Sequence, residues 1–391
     1  MGLLDLSRQL MRRCDELGAI SDQSGRLTRA FHSPAMQRAN QLVGSWMRAA
    51  GLKVREDAAF NLLGIWPSAR RNAKTLLLGS HLDTVPDAGK YDGPLGVLTA
   101  IAAVEHLRAT GATLPFNLEV VGFSDEEGVR YQTAYLGSGA FTGTLRKIDL
   151  TRIEEKGIMR ARRSKKEFLG FCEVHIEQGP VLEQANRPLG VVSGIAGQSR
   201  LHVEFHGRAG HAGTVPMDLR RDALAGAAEL ILAVERCGVQ ATVGQIYAAP
   251  GASNVIPGYV TLSIDVRDME DGRRISAIKT LRQKAKQIAT RRGLRLIWKM
   301  VQETSAVWCD KEMTEVLESC VRRNGIDCAS LPSGAGHDAA VLAKICPVAM
   351  LFVRCKDGIS HHPAESVKPS DVADAIGVLA NFVETLGARH A

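Results

Sequence analysis

The sequence predicts an α/β protein in which a mostly parallel sheet, with helices on both faces, is interrupted by a smaller α+β domain. A chain of 391 residues with 45% hydrophobic side chains is long enough for two hydrophobic cores. Strand-like apolar runs alternate with helical patterns in the first half, which is typical of parallel sheets covered by helices. At about Gly194 this pattern changes, so we expect residues 194–307 to form a ferredoxin-like insertion in a discontinuous domain of residues 1–193 and 308–391.

The elements of the discontinuous domain follow from local patterns. Residues 3–18 alternate apolar and charged positions at helical spacing. Ser33 before Pro34 predicts the start of a second helix, which ends near Gly51. The apolar stretch 96–107 predicts a buried helix. Strands are predicted at 53–56, 62–66, 75–79, 117–124 and 171–178, and after the insertion come a helix at 311–323, a strand at 347–354 and a helix at 370–386.

The inserted domain has a different succession of elements. Two βαβ-like halves are expected, formed by strand 199–206, helix 222–237, strands 241–248 and 259–267, helix 273–291 and strand 294–301.

The charge pattern does not favour a nucleic-acid partner. The chain has 49 basic and 42 acidic residues, a net charge of +7, with basic residues concentrated in 146–166 and 282–292. Neither stretch is interleaved with aromatic residues, so both are interpreted as solvated faces. A general attraction for small anionic substrates stays open.

Cysteine usage and hydropathy predict a reduced, cytoplasmic chain. The eight cysteines are scattered without a C-x-x-C pair, and a charged residue, Asp5, occurs close to the N-terminus. No apolar run approaches the roughly 20 residues that a membrane span needs. We therefore expect no membrane partner and no disulfide framework.

A polar loop follows the predicted strand 75–79. It carries His81, then Asp83 two residues later and Asp92 eleven residues after the histidine. Imidazole and carboxylate groups are ligands of divalent transition metals, and one carboxylate can bridge two ions. This loop alone fits a metal site and an ordinary polar loop about equally well.

Residues of the same ligand type follow other predicted strands. Ligands in such sheets bind outside the carboxyl ends of the strands. Taken singly, each histidine is more simply satisfied by ordinary hydrogen bonds, whereas the set at strand ends predicts a dinuclear metal site bridged by Asp92. Asp83 is too close in sequence to His81 to need a ligand role, and we assign it as the carboxylate that fixes the tautomer of that imidazole. The predicted ligands are His81, Asp92, Glu127, His175 and His361.

The adjacent acids Glu126 and Glu127 divide two roles. Neighbouring side chains point in different directions, so one carboxylate can bind metal while the other faces the attacking water. We assign Glu126 as the general base. The alternative is a pair of exposed acids in a turn, and the position at a strand end counts against it.

Seven motifs together resemble the M20-type metal-dependent amidohydrolases. The resemblance is to the branch that contains allantoate amidohydrolase, N-carbamoyl-L-amino-acid hydrolase and β-ureidopropionase, and it spans nearly the whole chain. The motifs are GSHLDTVP (79–86), YDG (91–93), SDEEG (124–128), HIEQGP (175–180), GHAGTVPM (210–217), SGAGHDA (333–339) and ISHHPAE (359–365).

The resemblance implies a zinc- or manganese-type dinuclear site with the five ligands above and Glu126 as base. Such N/O ligands also accept Co²⁺ or Ni²⁺. The histidine at position 175, where the family often has an acid, is the mark of the ureido-cleaving branch. The resemblance also implies that the inserted domain is a lid that mediates a homodimer.

The lid residues supply substrate chemistry by the same resemblance. His211 corresponds to the histidine that stabilises the developing oxyanion, within one subunit or across the dimer. Gln198, Asn254 and Arg267 resemble the polar and cationic substrate clamp. A guanidinium binds a carboxylate through two hydrogen bonds, so Arg267 would require an acid beside the scissile group. Without the family context, Arg267 would be interpreted as a surface arginine at a strand end.

The expected reaction is hydrolysis of a C–N bond in a ureido group on a small carboxylate substrate. Allantoate is the first expectation, and N-carbamoyl-L-amino acids or the substrate of a β-ureidopropionase are alternatives. A peptidase or deacylase is disfavoured by the His175 motif. A non-catalytic binding protein would need a broken set of metal ligands or a missing base. In this sequence the full ligand set and the base Glu126 are present. The basic segment 145–170 could reshape one wall of the pocket.

Overall fold

The structure is a computed structural model and describes residues 2–145 and 157–391. It divides into two units, one of Met1–Ser193 with Trp308–Ala391 and one of Gly194–Val307. The boundaries coincide with the division made from the sequence, while the roles of the units as catalytic and lid domains stay predictions. Residues 146–156, which belong to the basic segment 145–170, lie outside the described residues.

The strands and helices are close to those expected from the sequence patterns. In chain order the described strands are β1 (Lys53–Glu56), β2 (Leu62–Trp66), β3 (Thr75–His81), β4 (Asn117–Phe123), β5 (Phe168–Ile176), β6 (Leu189–Ile195), β7 (Gly197–His206), β8 (Gly210–His211), β9 (Gln240–Ala249), β10 (Val255–Ile256), β11 (Tyr259–Asp268), β12 (Arg295–Thr304), β13 (Val307–Trp308), β14 (Ala329–Ser333) and β15 (Val348–Val353). The described α-helices are α1 (Leu3–Gly18), α2 (Pro34–Ala49), α3 (Pro94–Ala109), α4 (Leu136–Thr142), α5 (Val181–Gln184), α6 (Ala223–Glu235), α7 (Asp271–Arg292), α8 (Lys311–Arg323), α9 (Asp338–Leu342) and α10 (Pro369–Arg389).

The sheet of the first unit has a parallel centre. Its strands follow the order β1-β2-β4-β3-β5-β15-β6, with β14 also paired to β6. Strand β3 runs parallel to β4 and β5, and β15 runs parallel to β5. The flanking pairs β1–β2, β2–β4 and β15–β6 are antiparallel. Every residue of β3 is buried, as expected of a strand covered on both faces. The predicted fold class is confirmed.

The helices of this unit begin and pack as their sequences indicate. Ser33 caps α2, because its hydroxyl accepts the backbone N–H of Met36 at 3.1 Å. Helix α3 is apolar and buried from Pro94 to Val104, in contact with β3, α1 and α10, and only its last turn carries charged and partly exposed residues. Gly93, just before α3, has a φ of +83° and allows the sharp turn from the Asp92 loop into the helix.

The differences from the predicted elements are local. Strand β3 extends through His81, so this histidine is the last residue of the strand and not part of the loop after it. Strand β5 begins at Phe168 and contains His175. The sequence patterns did not predict β6, whose pairing with β15 joins segments far apart in the chain. Such long-range pairing leaves little local signal.

The second unit is a four-stranded antiparallel sheet with two helices. The strand order is β12-β7-β11-β9, and α6 and α7 pack against the sheet. Buried and partly exposed residues alternate along β7 and β11, as in a sheet with one covered face. Asp222 caps α6 by accepting the N–H groups of Leu224 and Ala225. The order of elements, βαββαβ, is that of the predicted ferredoxin-like domain.

The cysteines are free thiols, and most of them are buried. Burial raises the pKa of Cys355 to about 11 and that of Cys346 to about 12. Such thiols are neutral and unreactive at physiological pH.

In the described part of the chain, no helix is long and apolar enough to cross a membrane.

Candidate metal centre

Four segments of the first unit bring the predicted ligands to one edge of the sheet. His81 ends β3, Glu126 and Glu127 follow β4, and His175 lies next to the last residue of β5. His361 comes from the segment after β15, the neighbour of β5 in the sheet. The carboxyl ends of parallel strands share an edge, which explains why residues so far apart in sequence meet.

Asp92 is the centre of this arrangement. Its Oδ1 lies 3.1 Å from Nε2 of His175 and 3.7 Å from Nε2 of His81. Its Oδ2 lies 3.1 Å from Nε2 of His361, which is 3.3 Å from Oε1 of Glu127. Two groups of potential ligands therefore share one carboxylate. We call His81, Asp92 and His175 the inner group, and Asp92, Glu127 and His361 the outer group.

The inner histidines are oriented for metal binding. Nδ1 of His175 lies 2.9 Å from the carbonyl oxygen of Ile176, and Nδ1 of His81 lies 3.1 Å from the carbonyl oxygen of Asp83. Because a carbonyl only accepts, the neutral ring carries its proton on Nδ1 and turns the Nε2 lone pair toward Asp92. Two neutral imidazoles and a carboxylate suit a divalent transition metal, so the donor set fits the predicted ion.

The orientation of His81 differs in one respect from the sequence-based assignment. The carboxylate of Asp83 lies 3.5 Å from Nδ1, farther away than the carbonyl oxygen of the same residue. The carboxylate oxygens instead accept the backbone N–H groups of Glu126, at 3.0 Å, and Glu127, at 3.1 Å. Asp83 therefore supports both the ring of His81 and the turn that carries the proposed base.

The surroundings of the site bury an excess of carboxyl groups. Burial and then the charge of Glu127 raise the pKa of Glu126 well above its usual range. Burial and then the charge of Glu173 raise the pKa of Asp338 in the same way. Buried carboxylates require a cationic partner, and divalent ions at the shared Asp92 would provide it. This is a second observation that fits a metal.

Three further residues hold Asp92. Gln178 Nε2 and Ser360 Oγ each donate to Oδ2 of Asp92 at 2.9 Å. Glu365 Oε2 accepts the backbone N–H groups of Tyr91 and Asp92, at 2.7 and 3.1 Å. We did not single out these residues from the sequence. For Gln178 and Ser360 the available signal was their position, three residues after His175 and one before His361.

The structure distinguishes between the two adjacent histidines at 361 and 362. His361 has a φ of +55°, in the left-handed region, and its ring enters the outer group. Nδ1 of His362 accepts the N–H of Ala364 within its own turn. The predicted choice of His361 agrees with this geometry. The side chain of His361 is 49% exposed, in contrast to the buried inner histidines.

The substrate residues predicted in the second unit form two small sets. His211 pairs with Val255 between β8 and β10, and the N–H of Ala212 donates to the carbonyl of Asn254 at 2.9 Å, so His211 and Asn254 lie on neighbouring segments. The N–H of Gly213 donates to Nδ1 of His211 at 3.0 Å. The proton of the neutral ring is therefore on Nε2, which makes Nε2 a hydrogen-bond donor.

Gln198 and Arg267 meet at a carboxylate that the sequence-based assignment overlooked. Arg267 donates to Asp265 through Nε at 2.9 Å and through Nη2 at 3.1 Å, and Gln198 Nε2 donates to the same carboxylate at 2.6 Å. Arg200 Nε adds a contact of 3.3 Å. Burial by itself would raise the pKa of Asp265, but these donors outweigh burial and lower that pKa below its usual range. The plane of the Arg267 guanidinium is thus fixed by the protein itself.

Fold and site together define an α/β protein with a carboxylate–imidazole centre able to bind divalent metal ions. A sequence model of peptidase family M20/M25/M40 matches residues 77–385. The chain belongs to this family, which confirms the relationship that the motifs predict.

Relatives are similar over nearly the full length of the chain. An allantoate deiminase 2 of Glycine max is 40% identical, with 98% of this chain and 91% of the relative covered. An N-carbamoyl-L-amino acid amidohydrolase of Geobacillus stearothermophilus is also 40% identical, with coverages of 96% and 97%. A solved amidase of the hydantoinase/carbamoylase family from Burkholderia multivorans is 30% identical, with a TM-score of 0.91 and coverages of 97% and 98%.

Proposed function

We propose that this protein is a metal-dependent amidohydrolase that cleaves a non-peptide C–N bond in a ureido group of a small carboxylate substrate. Allantoate is the first candidate. The observation that carries the proposal is the convergence of His81, His175 and His361 on the two oxygens of Asp92. The allantoate deiminases and N-carbamoyl-amino-acid amidohydrolases similar to this chain support the choice of bond.

The inner and outer groups would each hold one divalent ion, Zn²⁺ or Mn²⁺, with Co²⁺ or Ni²⁺ accepted by the same ligands. Asp92 would bridge the two positions, because different oxygens of its carboxylate face the inner and outer histidines. Bound ions would act as Lewis acids: they would polarise the substrate carbonyl and activate a water shared between them. Gln178 and Ser360 would keep the bridging carboxylate in place through their hydrogen bonds to Oδ2.

Glu126 is the proposed general base. Its carboxylate approaches His81 and Glu127 closely enough to share a potential ligand group with them, and the Asp83 carboxylate fixes its backbone. Glu126 takes the proton of the attacking water and gives it to the leaving nitrogen. A carboxylate in this role must be ionised when the water attacks, and the positive charge of nearby cations would favour the ionised form.

The lid residues are proposed to recognise the substrate. Arg267, held by Asp265, would bind the substrate carboxylate, and Gln198 and Asn254 would bind its polar groups. His211 would donate from Nε2 to the oxyanion that develops at the ureido carbonyl. This combination supports a small anionic ureido compound as the ligand.

We also propose a homodimer formed through the second unit. Large apolar side chains are exposed on α6 and on the edge strand β9, and they include Leu232, Ile246 and Tyr247. An exposed edge strand with apolar side chains is suited to pairing with a second copy.

N-carbamoyl-L-amino acids are the second candidate substrates. The identity to the Geobacillus relative equals that to the soybean allantoate deiminase, so similarity does not separate the two. Both classes carry the carboxylate that Arg267 would bind. Dipeptides and N-acyl amino acids are the more distant alternative.

A substrate panel tests the proposal. The chain loaded with Zn²⁺ or Mn²⁺ is assayed for ammonia and organic products on allantoate, on several N-carbamoyl-L-amino acids and N-carbamoyl-β-alanine, and on dipeptides. Turnover of allantoate well above the other compounds is the expected result. Preference for N-carbamoyl amino acids would establish the second candidate. Hydrolysis of dipeptides with no activity on any ureido compound would refute the proposed function.

A further inference from the structure

Arg220 stabilises the loop that follows His211. The proposed chemistry gives this arginine no role. Arg220 is half-buried, and its Nε donates to the carbonyl oxygen of Val215 at 3.1 Å. Its Nη2 donates to the carbonyl oxygen of Ala212 at 2.6 Å. One guanidinium thus joins both ends of the loop through two charge-assisted hydrogen bonds. Lysine could not reproduce this, because its single ammonium lacks the planar fork.

The braced loop determines the state of the His211 ring. The N–H of Gly213, midway between the two carbonyls that Arg220 holds, donates to Nδ1 at 3.0 Å. The N–H groups of Thr214 and Val215 face the carbonyl oxygen of His211, at 3.4 and 3.3 Å. The tight turn therefore aims a backbone donor at Nδ1 and leaves the proton of the neutral ring on Nε2.

Ala212 connects the brace to a second proposed substrate residue. Its carbonyl accepts from Arg220, and its N–H donates to the carbonyl of Asn254 at 2.9 Å. The next residue in each segment also pairs, because His211 in β8 lies opposite Val255 in β10. A displacement of Ala212 would therefore move both the His211 loop and the Asn254 segment.

We propose that Arg220 is a positioning residue that holds the loop 211–215 in the conformation in which His211 carries its proton on Nε2. The inference rests on the proposed function, in which Nε2 of His211 donates to the oxyanion. Without the two hydrogen bonds of Arg220, the N–H of Gly213 no longer faces Nδ1. The ring then exchanges between tautomers, and only one of them can donate from Nε2.

The test compares Arg220→Gln and Arg220→Lys with Arg221→Gln. Arg221 is the adjacent, exposed arginine, so its variant removes the same charge one residue away. The full chain is loaded with diamagnetic Zn²⁺ and labelled with ¹⁵N-histidine, and long-range ¹H–¹⁵N spectra report which ring nitrogen of each histidine is protonated. The signals of His211 are assigned by their absence in His211→Gln.

The wild type and Arg221→Gln are expected to show a single Nε2–H tautomer at His211, and both Arg220 variants a mixture. In the Arg220 variants kcat is expected to fall by about 10- to 100-fold, because a small misplacement of a catalytic donor costs that much. KM should change less than kcat, since Gln198 and Arg267 are retained and only the Asn254 segment borders the displaced loop.

An unchanged His211 tautomer in both Arg220 variants, or an equal change in Arg221→Gln, overturns the proposal. If Arg220→Gln shows no cooperative thermal unfolding, Arg220→Lys decides alone by the same criterion. Full activity of His211→Gln would refute the catalytic role of His211, whereas a tautomer change in the Arg220 variants would still establish the positioning effect. The two failures are thus separable.

Discussion

The carboxylate of Asp83 accepts the backbone N–H groups of Glu126 and Glu127, across 43 and 44 residues of sequence. The loop after β3 is thereby tied to the turn after β4. Asp83, assigned from its spacing to orient His81, also positions the proposed base Glu126 and the proposed ligand Glu127. Its loss should therefore affect metal binding and chemistry together.

Asp83→Asn is the first prediction. The amide keeps one acceptor but turns an NH₂ group toward one of the two backbone donors, so the turn of Glu126 and Glu127 must shift. We expect metal affinity to fall by about 10- to 100-fold, as for other residues that support ligands, and kcat to fall with it. Calorimetric titration with Zn²⁺ and assays on allantoate measure both. Asp87→Asn, in the same loop, is the control and should leave both values near wild type.

Glu126→Gln separates chemistry from metal binding. Loss of a general base costs about 10²- to 10⁴-fold in kcat, while the amide removes no proposed ligand. Metal content, measured by elemental analysis after dialysis, should stay at the wild-type value. Glu127→Gln provides the contrast, since it should lose metal as well as activity. Full activity of Glu126→Gln would remove this residue from the mechanism.

Metal binding should release protons and strengthen with pH. In the metal-free protein, hydrogen bonds to Asp92 and then Glu127 outweigh burial and raise the pKa of His361 to about 10. His361 is therefore protonated at neutral pH and must lose that proton to bind an ion in the outer group. Affinity at this position should rise about tenfold per pH unit below that pKa, with one proton released. Titrations in buffers of different ionisation enthalpy measure the release. His361→Asn should remove the one proton of the outer group, while His81 and His175, where burial is outweighed by hydrogen bonds to carboxylates that raise the pKa values, still release protons at the inner group.

Arg267→Lys should weaken substrate binding specifically. The ammonium cannot form the planar pair with a carboxylate, so KM is expected to rise by about tenfold or more while metal content is unchanged. Arg200→Lys is the matched control, since Arg200 contacts the same Asp265 carboxylate but has no proposed substrate role. Steady-state kinetics decide: similar KM values for the two variants would contradict the assignment of Arg267.

The proposed dimer can be tested at one side chain. Tyr247 on edge strand β9 is 62% exposed, and Tyr247→Asp would bury a charge in the proposed interface. Sedimentation velocity should then show monomers. Val301, 60% exposed on the opposite edge strand β12, offers a matched control in Val301→Asp, which should remain dimeric. Dissociation by the control variant alone would place the interface at the other edge.

The sequence contained the signals for strands and ligands because both are local. Apolar runs marked β3, β4 and β5, and ligand residues directly at their ends marked one edge of the sheet. The groups that hold these ligands were harder to find. Glu365 supports the backbone of Asp92 from 273 residues away, and Asp265 was hidden by its closeness to the more conspicuous Arg267. Only the folded chain reveals such pairings, because any polar residue could have supplied them.

The unequal burial of the inner and outer groups has a kinetic consequence. His81 and His175 are only 2% exposed, whereas the His361 side chain is about half in solvent. In the proposed two-ion centre, the inner ion would dissociate slowly and the outer ion would equilibrate with the metal pool of its surroundings. The two positions would then exchange metal at different rates, and the composition of the outer one would follow supply.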